Sequence, residues 1–162
     1  MNHANDTLSY RKALGRFPTG VAFVATQAPD GSDNGILINS FTSVSLDPRL
    51  VLWSLDQRSS VRAIFVGASN FAISILTGAQ RQLLAELSRP RETRFQGVAI
   101  RRGIGGAPVL VDAAAGFECT CERVISAGDH DLIMGRVENF ELCDLPPLAF
   151  LAGQYGHVEI AA

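Results

Sequence analysis

The chain has 162 residues, 47% of them hydrophobic. That excludes a disordered polypeptide and is the length of one packed domain, 1–162. Fourteen Lys and Arg against 16 Asp and Glu give a net charge of −2, which excludes a generally basic nucleic-acid binder, and no apolar run approaches the ~20 residues of a membrane-spanning helix.

The start of the chain, MNHANDTLSYRK, is polar and lacks the apolar core of a signal peptide. Three cysteines are too few for a disulfide scaffold. The expectation is a cytoplasmic protein with reduced thiols, with no nucleic-acid or membrane partner, and with residues 1–6 as a disordered tail. Residues 7–14 predict a short helix, capped by Asp6 or Thr7 and ended by Gly15. Residues 21–27 predict a strand, followed by the turn Pro29-Asp30-Gly31. Residues 35–41 and 50–55 predict two more strands, with Asp47-Pro48 between them.

Residues 60–66 and 80–87 have helical rather than alternating spacing. Ser59 or Ser60 is the expected cap of the first and Gly67 its end; Arg89-Pro90 stops the second. Residues 71–77, 113–124 and 132–142 return to strand patterning. The last two predict a hairpin whose connector, 125–131, is longer than a tight turn. Six to eight strands and three helices, with strands mostly not separated by helices, argue against a doubly wound parallel sheet. They fit a mainly β protein, a small antiparallel barrel with peripheral helices.

No dinucleotide fingerprint is present: Gly103-Ile104-Gly105-Gly106-Ala107-Pro108 has proline where the third glycine belongs. Three segments carry candidate chemistry. In 35–46, Asn39, Ser40, Thr42, Ser43 and Ser45 supply five small polar side chains within seven residues. They suit either the wet face of an edge strand or a wall for a flat polar ligand approached by backbone N–H groups. In 54–62, Arg58, Ser59 and Ser60 stand where a helix begins, as an ordinary cap or as an anion site. In Gly128-Asp129-His130-Asp131, the histidine between carboxylates is a general base, a metal ligand or a residue of a solvated turn. Cys119 and Cys121, two apart on a strand, face one side. With Cys143 and His130 they match no common zinc spacing, so no metal is expected.

Four ordered blocks resemble the flavin reductase-like family, short-chain NAD(P)H:flavin oxidoreductases. They are ALGRFPTGV from Ala13, GILINSFTSVSLDPRLVL from Gly35, residues 71–80 with Phe95-Gln96-Gly97-Val98, and Gly128-Asp129-His130 with Gly135-Arg136-Val137, Pro147-Leu148 and Gly153-Gln154-Tyr155. The resemblance implies an FMN-binding split β-barrel, a homodimer, FMN or FAD as cofactor with FMN favoured, and NADH or NADPH as donor with NADH favoured. It implies hydride transfer from the nicotinamide to the flavin, which then serves a partner flavin-dependent monooxygenase. It places Asn39, Ser40, Phe41, Thr42 and Ser43 along the isoalloxazine. Ser54, Leu55, Arg58, Ser59 and Ser60 fall on the phosphate and ribityl chain, and Pro18, Thr19, Gly20, Phe95, Gly153 and Tyr155 close by. It makes His130 the residue that positions the nicotinamide.

The chain departs from that family in two places. A proline pair is replaced by Pro48-Arg49, and the arginines common around the final Gly-x-Tyr are absent from Leu151-Ala152-Gly153-Gln154-Tyr155. A flavin-binding module that retains its flavin is the alternative reading. A split barrel that binds another heterocycle is a third.

Overall fold

The computed structural model describes residues 3–159. The helix expected from Thr7 begins earlier, as α1 (His3–Leu14). Of the six residues read as a tail, His3–Asp6 lie in this helix, and Met1 and Asn2 lie outside the described residues.

Twelve strands come after it among the described residues, more than the expected six to eight: β1 (Thr19–Gly20), β2 (Ala22–Gln27), β3 (Asp33–Ile38), β4 (Thr42–Leu46), β5 (Arg49–Asp56), β6 (Asn70–Ile75), β7 (Ile100–Arg102), β8 (Pro108–Leu110), β9 (Ala115–Ala127), β10 (His130–Leu142), β11 (Leu148–Leu151) and β12 (Gln154–His157). Two helices interrupt them, α2 (Arg62–Gly67) and α3 (Leu84–Leu87), the latter continuing a 3-10 turn over Ala79–Leu83. The extra strands have two to five residues, too short for an alternation to register.

Seven strands form one sheet in the order β3-β2-β6-β9-β10-β5-β4, with β1-β11-β12 and β7-β8 as smaller sheets. Residues 35–41, read as one strand, are divided. β3 ends at Ile38, and after Asn39-Ser40-Phe41 the chain enters β4 at the opposite edge of the same sheet. Laid flat, those edges would stand about 29 Å apart, at ~4.8 Å per strand spacing. Three linking residues reach about 14 Å. The sheet must therefore curl almost into a closed barrel, with β3 and β4 as unpaired neighbours across the split.

The inside of the curl is the main core. Val24, Trp53, Leu55, Phe71, Ile73, Cys119 and Ile133 meet there, and Phe65 of α2 closes one end. The Trp53 ring stands edge-on to Phe65 at 5.1 Å and to Phe71 at 6.0 Å, a favourable aromatic geometry. The other face of β2 is buried as well, where Phe23 and Ala25 meet Leu76, Leu87, Leu110 and Leu148.

The β9–β10 connector is shorter than expected. Ala127 pairs with His130, so Gly128-Asp129 alone make the turn. Gly128 has a φ of 64°, while the φ of Asp129 lies outside the left-handed region; this is the pattern of a two-residue hairpin turn with glycine first. The caps expected at Ser59 or Ser60 are also absent: α2 starts later, after Val61, with no side-chain cap. No helix among the described residues is long and apolar enough to cross a membrane.

Gly135 of β10 sits where a side chain cannot. A Cβ there would lie 2.5 Å from the Phe71 ring and 2.9 Å from the Cys119 Cβ. Both neighbours are fully buried. Gly135→Ala is expected to lower the unfolding free energy by about 1–3 kcal/mol, the usual cost of overpacking, measured by urea denaturation.

Candidate functional site

The link across the split organises the site. The Ser40 hydroxyl accepts from the Ser54 N–H at 3.0 Å and donates to the Ser54 carbonyl at 3.3 Å. It thus continues, through a side chain, the β4–β5 ladder that begins at Thr42–Leu52. Phe41 stacks on Phe117 at 5.4 Å against the inner core. Ser40 and Phe41 therefore hold the link in place. Asn39, between them and β3, faces a cleft. Thr42 and Ser43 lie exposed on the edge strand.

That cleft, about 720 Å³, is bounded by the end of α1 on one side and by Thr19, Asn39, Phe150 and Gly153 on the other. Its size falls in the ~300–1,000 Å³ range of small-molecule sites. It continues past Asn39 and Phe150 into a hollow of about 210 Å³ reached by Tyr155. Of the predicted residues, Thr19, Asn39, Gly153 and Tyr155 thus converge, with Pro18 and Gly20 flanking Thr19. The wall is set by the β11–β12 hairpin. Ala152 and Gly153 have φ values of 51° and 82°, and the Ala152 N–H donates to the Gly15 carbonyl at 2.9 Å, fastening the end of α1. The Thr19 hydroxyl is buried without a partner among the described residues, so a polar group is left to be satisfied there.

A second neighbourhood lies just beyond Ser54, where β5 ends at Asp56. Leu55, predicted to touch the cofactor, points into the core with 1% exposure, so only its backbone can face a ligand. Arg58 turns back on Asp56, with Nε–Oδ1 at 3.1 Å and Nη2–Oδ2 at 2.8 Å, and its own N–H also donates to Oδ1. These bonds hold the Asp56 carboxyl far below the usual carboxylate range. The Arg58 fork therefore faces a carboxylate rather than a phosphate. Ser59 braces the next turn, accepting from the Val61 N–H at 3.4 Å.

Ser60 borders a cleft of about 600 Å³ together with Arg89, Arg91 and Arg94. Arg91 also borders the neighbouring cleft that holds Phe95. Phe95 itself packs edge-on against Phe23 at 5.6 Å. Arg94 is anchored by the Arg89 and Gly35 carbonyls. The three arginines stand in the stretch RPRETR, whose only signal in the sequence is the helix stop at Arg89-Pro90.

His130 occupies the first position of β10, opposite Asp56, with Nδ1 2.7 Å from Asp129 Oδ1. Its neighbour Asp131 has a side chain only 2% exposed and takes Arg62 Nε at 2.6 Å. Gln57 Nε2 bridges Asp131, the His130 carbonyl and the Ser126 hydroxyl, and the Gln57 N–H reaches the Asp129 carbonyl. The tip bearing His130 is therefore clamped onto the β5–α2 loop. The Arg62 bond holds the Asp131 carboxyl below its ordinary range against the opposing effect of burial.

Cys119 and Cys121 both face the inner core, as their spacing predicts, and Cys143 is exposed. Burial pushes the Cys119 thiol up to about 12. No three His, Cys, Asp or Glu side chains gather into a metal-sized cluster among the described residues.

This curled sheet, with a cleft beside its split, has the architecture of a flavin reductase. A model of the flavin reductase like domain matches residues 14–159, and the chain belongs to that family. It is 39% identical over 97% of its length to the reductase subunit of stachydrine N-demethylase from Rhizobium meliloti, covering 68% of that protein. It is 40% identical over 91% of its length to an FMN reductase (NADH) of Agrobacterium fabrum, covering 84% of it. A Streptomyces globisporus NADH:FAD oxidoreductase, solved with NAD and FAD fragments, superposes with a TM-score of 0.89 at 29% identity, over 96% of this chain and 94% of that one. Two other relatives, from Rhizobium meliloti and Acinetobacter baylyi, are longer, and the chain spans about half of each, 48% and 50%.

The Asp131–Arg62 pair has a pH signature. A carboxyl held below its unfolded value contributes stability above that value and loses it as pH falls through the folded one. Asp131→Asn is expected to melt below the parent at neutral pH. The gap should narrow below about pH 4, as read from calorimetric melts across an acid series.

Proposed function

We propose that the chain is an NADH-dependent flavin reductase that delivers reduced FMN or FAD to a partner flavin-dependent monooxygenase. The observation that carries this reading is the convergence of Thr19, Asn39 and Gly153 on one cleft, with Tyr155 on the hollow that adjoins it at Asn39, in a chain matched by the family over residues 14–159. Several relatives support it by name, among them an FMN reductase (NADH) and the reductase component of a trigonelline monooxygenase.

The residues fit a flavin nucleotide. The unpartnered Thr19 hydroxyl and the Asn39 amide offer hydrogen bonds to a flat heterocycle. Ser60 with Arg89, Arg91 and Arg94 offers donors to a phosphate, which would compete with Glu86 for Arg89 and with Asp30 for Arg91 and would meet one carboxylate, Glu92, on the same wall. Thr42 and Ser43 border the ring through their backbone. Bound flavin supplies the two-electron acceptor for the nicotinamide. The chain's own residues have to hold two planar groups in contact and exclude water, which calls for shape and hydrogen bonds rather than a strong acid or base. His130, on its clamped tip, orients the nicotinamide.

The reaction is tested by mixing the purified protein with NADH or NADPH and FMN or FAD. The expected outcome is nicotinamide oxidation that saturates with free flavin. Protein that keeps flavin through gel filtration without turning over added flavin would instead be a flavin-retaining module. Protein that binds no flavin would be a barrel for another heterocycle. His130→Ala is expected to raise the KM for NADH about tenfold, the worth of one charge-assisted hydrogen bond, and to change the flavin Kd less than about twofold. Equal effects on both would remove His130 from the donor side.

We further propose a homodimer in the cytoplasm, where NADH is supplied. The end of the sheet exposes Leu46 at 91%, Leu142 at 84% and Phe140 at 60%, and Arg49 covers the Phe140 ring at 5.4 Å. Apolar residues gathered this openly are characteristic of an interface. Light scattering is expected to give about twice the 17.3 kDa chain mass, and Leu46→Asp with Leu142→Asp to halve it.

A further inference from the structure

The segment expected to carry arginines for a pyridine nucleotide, Leu151–Tyr155, holds none. The structure brings positive charge to the same cleft from another part of the chain. Arg11 and Lys12, in the last turn of α1, and Arg16, just beyond it, line the 720 Å³ cleft opposite Gly153. No carboxylate lines that cleft among the described residues. None of the three side chains forms an ion pair among the described residues, whereas Arg58, Arg62, Arg89, Arg91, Arg101, Arg102 and Arg136 all do.

Three unneutralised cations in one concavity are unusual for a chain whose net charge is −2, and such a concavity raises the local concentration of anions. Phe17 lines the same cleft with 76% of its surface exposed, a free face for a purine. The Ala152–Gly15 bond fixes the helix end, so these groups are held at a set distance from Thr19 and Asn39.

We propose that this cleft binds the ADP moiety of a dinucleotide, with the pyrophosphate on Arg11, Lys12 and Arg16 and the adenine on Phe17. The inference deepens the proposed reductase reading and names which part of the ligand the α1 end holds. The same ADP chemistry is present in NADH and in FAD. The donor is the expected source, because Ser60 and Arg89–Arg94 already offer a separate site to flavin phosphate.

The test is calorimetric titration of the full-length protein with ADP-ribose, which needs no turnover. The parent is expected to bind, and Arg11→Glu with Arg16→Glu to bind more than about tenfold more weakly, as lost charge-assisted contacts imply. Arg11→Lys with Arg16→Lys should retain binding. Phe17→Ala should weaken ADP-ribose but not inorganic pyrophosphate, and this variant leaves the charges in place should the double reversal fail to fold. FMN affinity should be unchanged in all of them.

The source is then read by pairs. A raised KM for NADH with an unchanged KM for reduced nicotinamide mononucleotide assigns the site to the donor. A raised Kd for FAD with an unchanged Kd for FMN assigns it to the flavin. The proposal is overturned if the parent does not bind ADP-ribose, if the reversal variant binds it as the parent does, or if FMN affinity falls in parallel. Charge-dependent ADP-ribose binding in a parent that oxidises neither NADH nor NADPH would keep the site and discard the reductase reading.

Discussion

Three residues cannot span a flat seven-stranded sheet. Asn39-Ser40-Phe41 must join β3 and β4, its two edges, and the curl that this requires shapes both the core and the site. Curling turns one face of β2, β5, β6, β9 and β10 inward to make the Trp53-centred core. It brings the ends of distant strands to one seam. The link also cannot be left loose, because its backbone has no strand on one side. Ser40 answers that need by bonding both polar groups of Ser54, and Phe41 answers it by stacking on Phe117. What remains outward at the seam is Asn39, and the cleft forms in front of it.

Charge is arranged around this frame in two ways. At the hairpin tip it is internally compensated: Asp56 takes Arg58, and Asp131 takes Arg62 with Gln57 in support. Those bonds fix the position of a turn rather than offer a surface to a ligand. The Arg58 pair is well exposed and adds little stability, whereas the Asp131 carboxylate is buried and would be costly without its partner. Around Ser60 it is partly compensated, with Arg89 near Glu86 at 3.5 Å, Arg91 near Asp30 at 3.7 Å and Arg94 on two carbonyls; at the α1 end Arg11, Lys12 and Arg16 form no ion pair among the described residues and border an open cleft. The paired arginines belong to the scaffold, and the unpaired cations at the α1 end belong to an open surface.

The fold class was legible because strands long enough to alternate, such as β5, β9 and β10, outnumber the helices. The break within 35–46 was not, because Ile38 to Thr42 has the composition of a continuous strand, and what ends β3 is topology. The two-residue turn at Gly128-Asp129 was obscured by the polar character of its surroundings, although the glycine that permits it was visible. Among site residues named from the resemblance, Thr19, Asn39 and Gly153 line one cleft and Tyr155 the hollow beside it. Arg58 was read for its charge, and a sequence does not show that Asp56, two positions earlier, takes that charge. Arg11, Lys12 and Arg16 have the composition of a solvated helix end, and only the β11–β12 turn beside them makes them a wall.

The placement of the sulfur atoms has a consequence for durability. Oxygen-reactive chemistry of the kind a reduced flavin carries exposes nearby protein to peroxide, and peroxide attacks thiolate rather than thiol. Cys119 is fully buried, and that burial pushes its thiol up to about 12, which disfavours the thiolate at neutral pH. Oxidation of that sulfur would place a polar group in the inner core. Cys143, at the exposed end of the hairpin, is free to be oxidised without touching the core. The chain thus keeps its most damaging target chemically silent and leaves its expendable one at the surface.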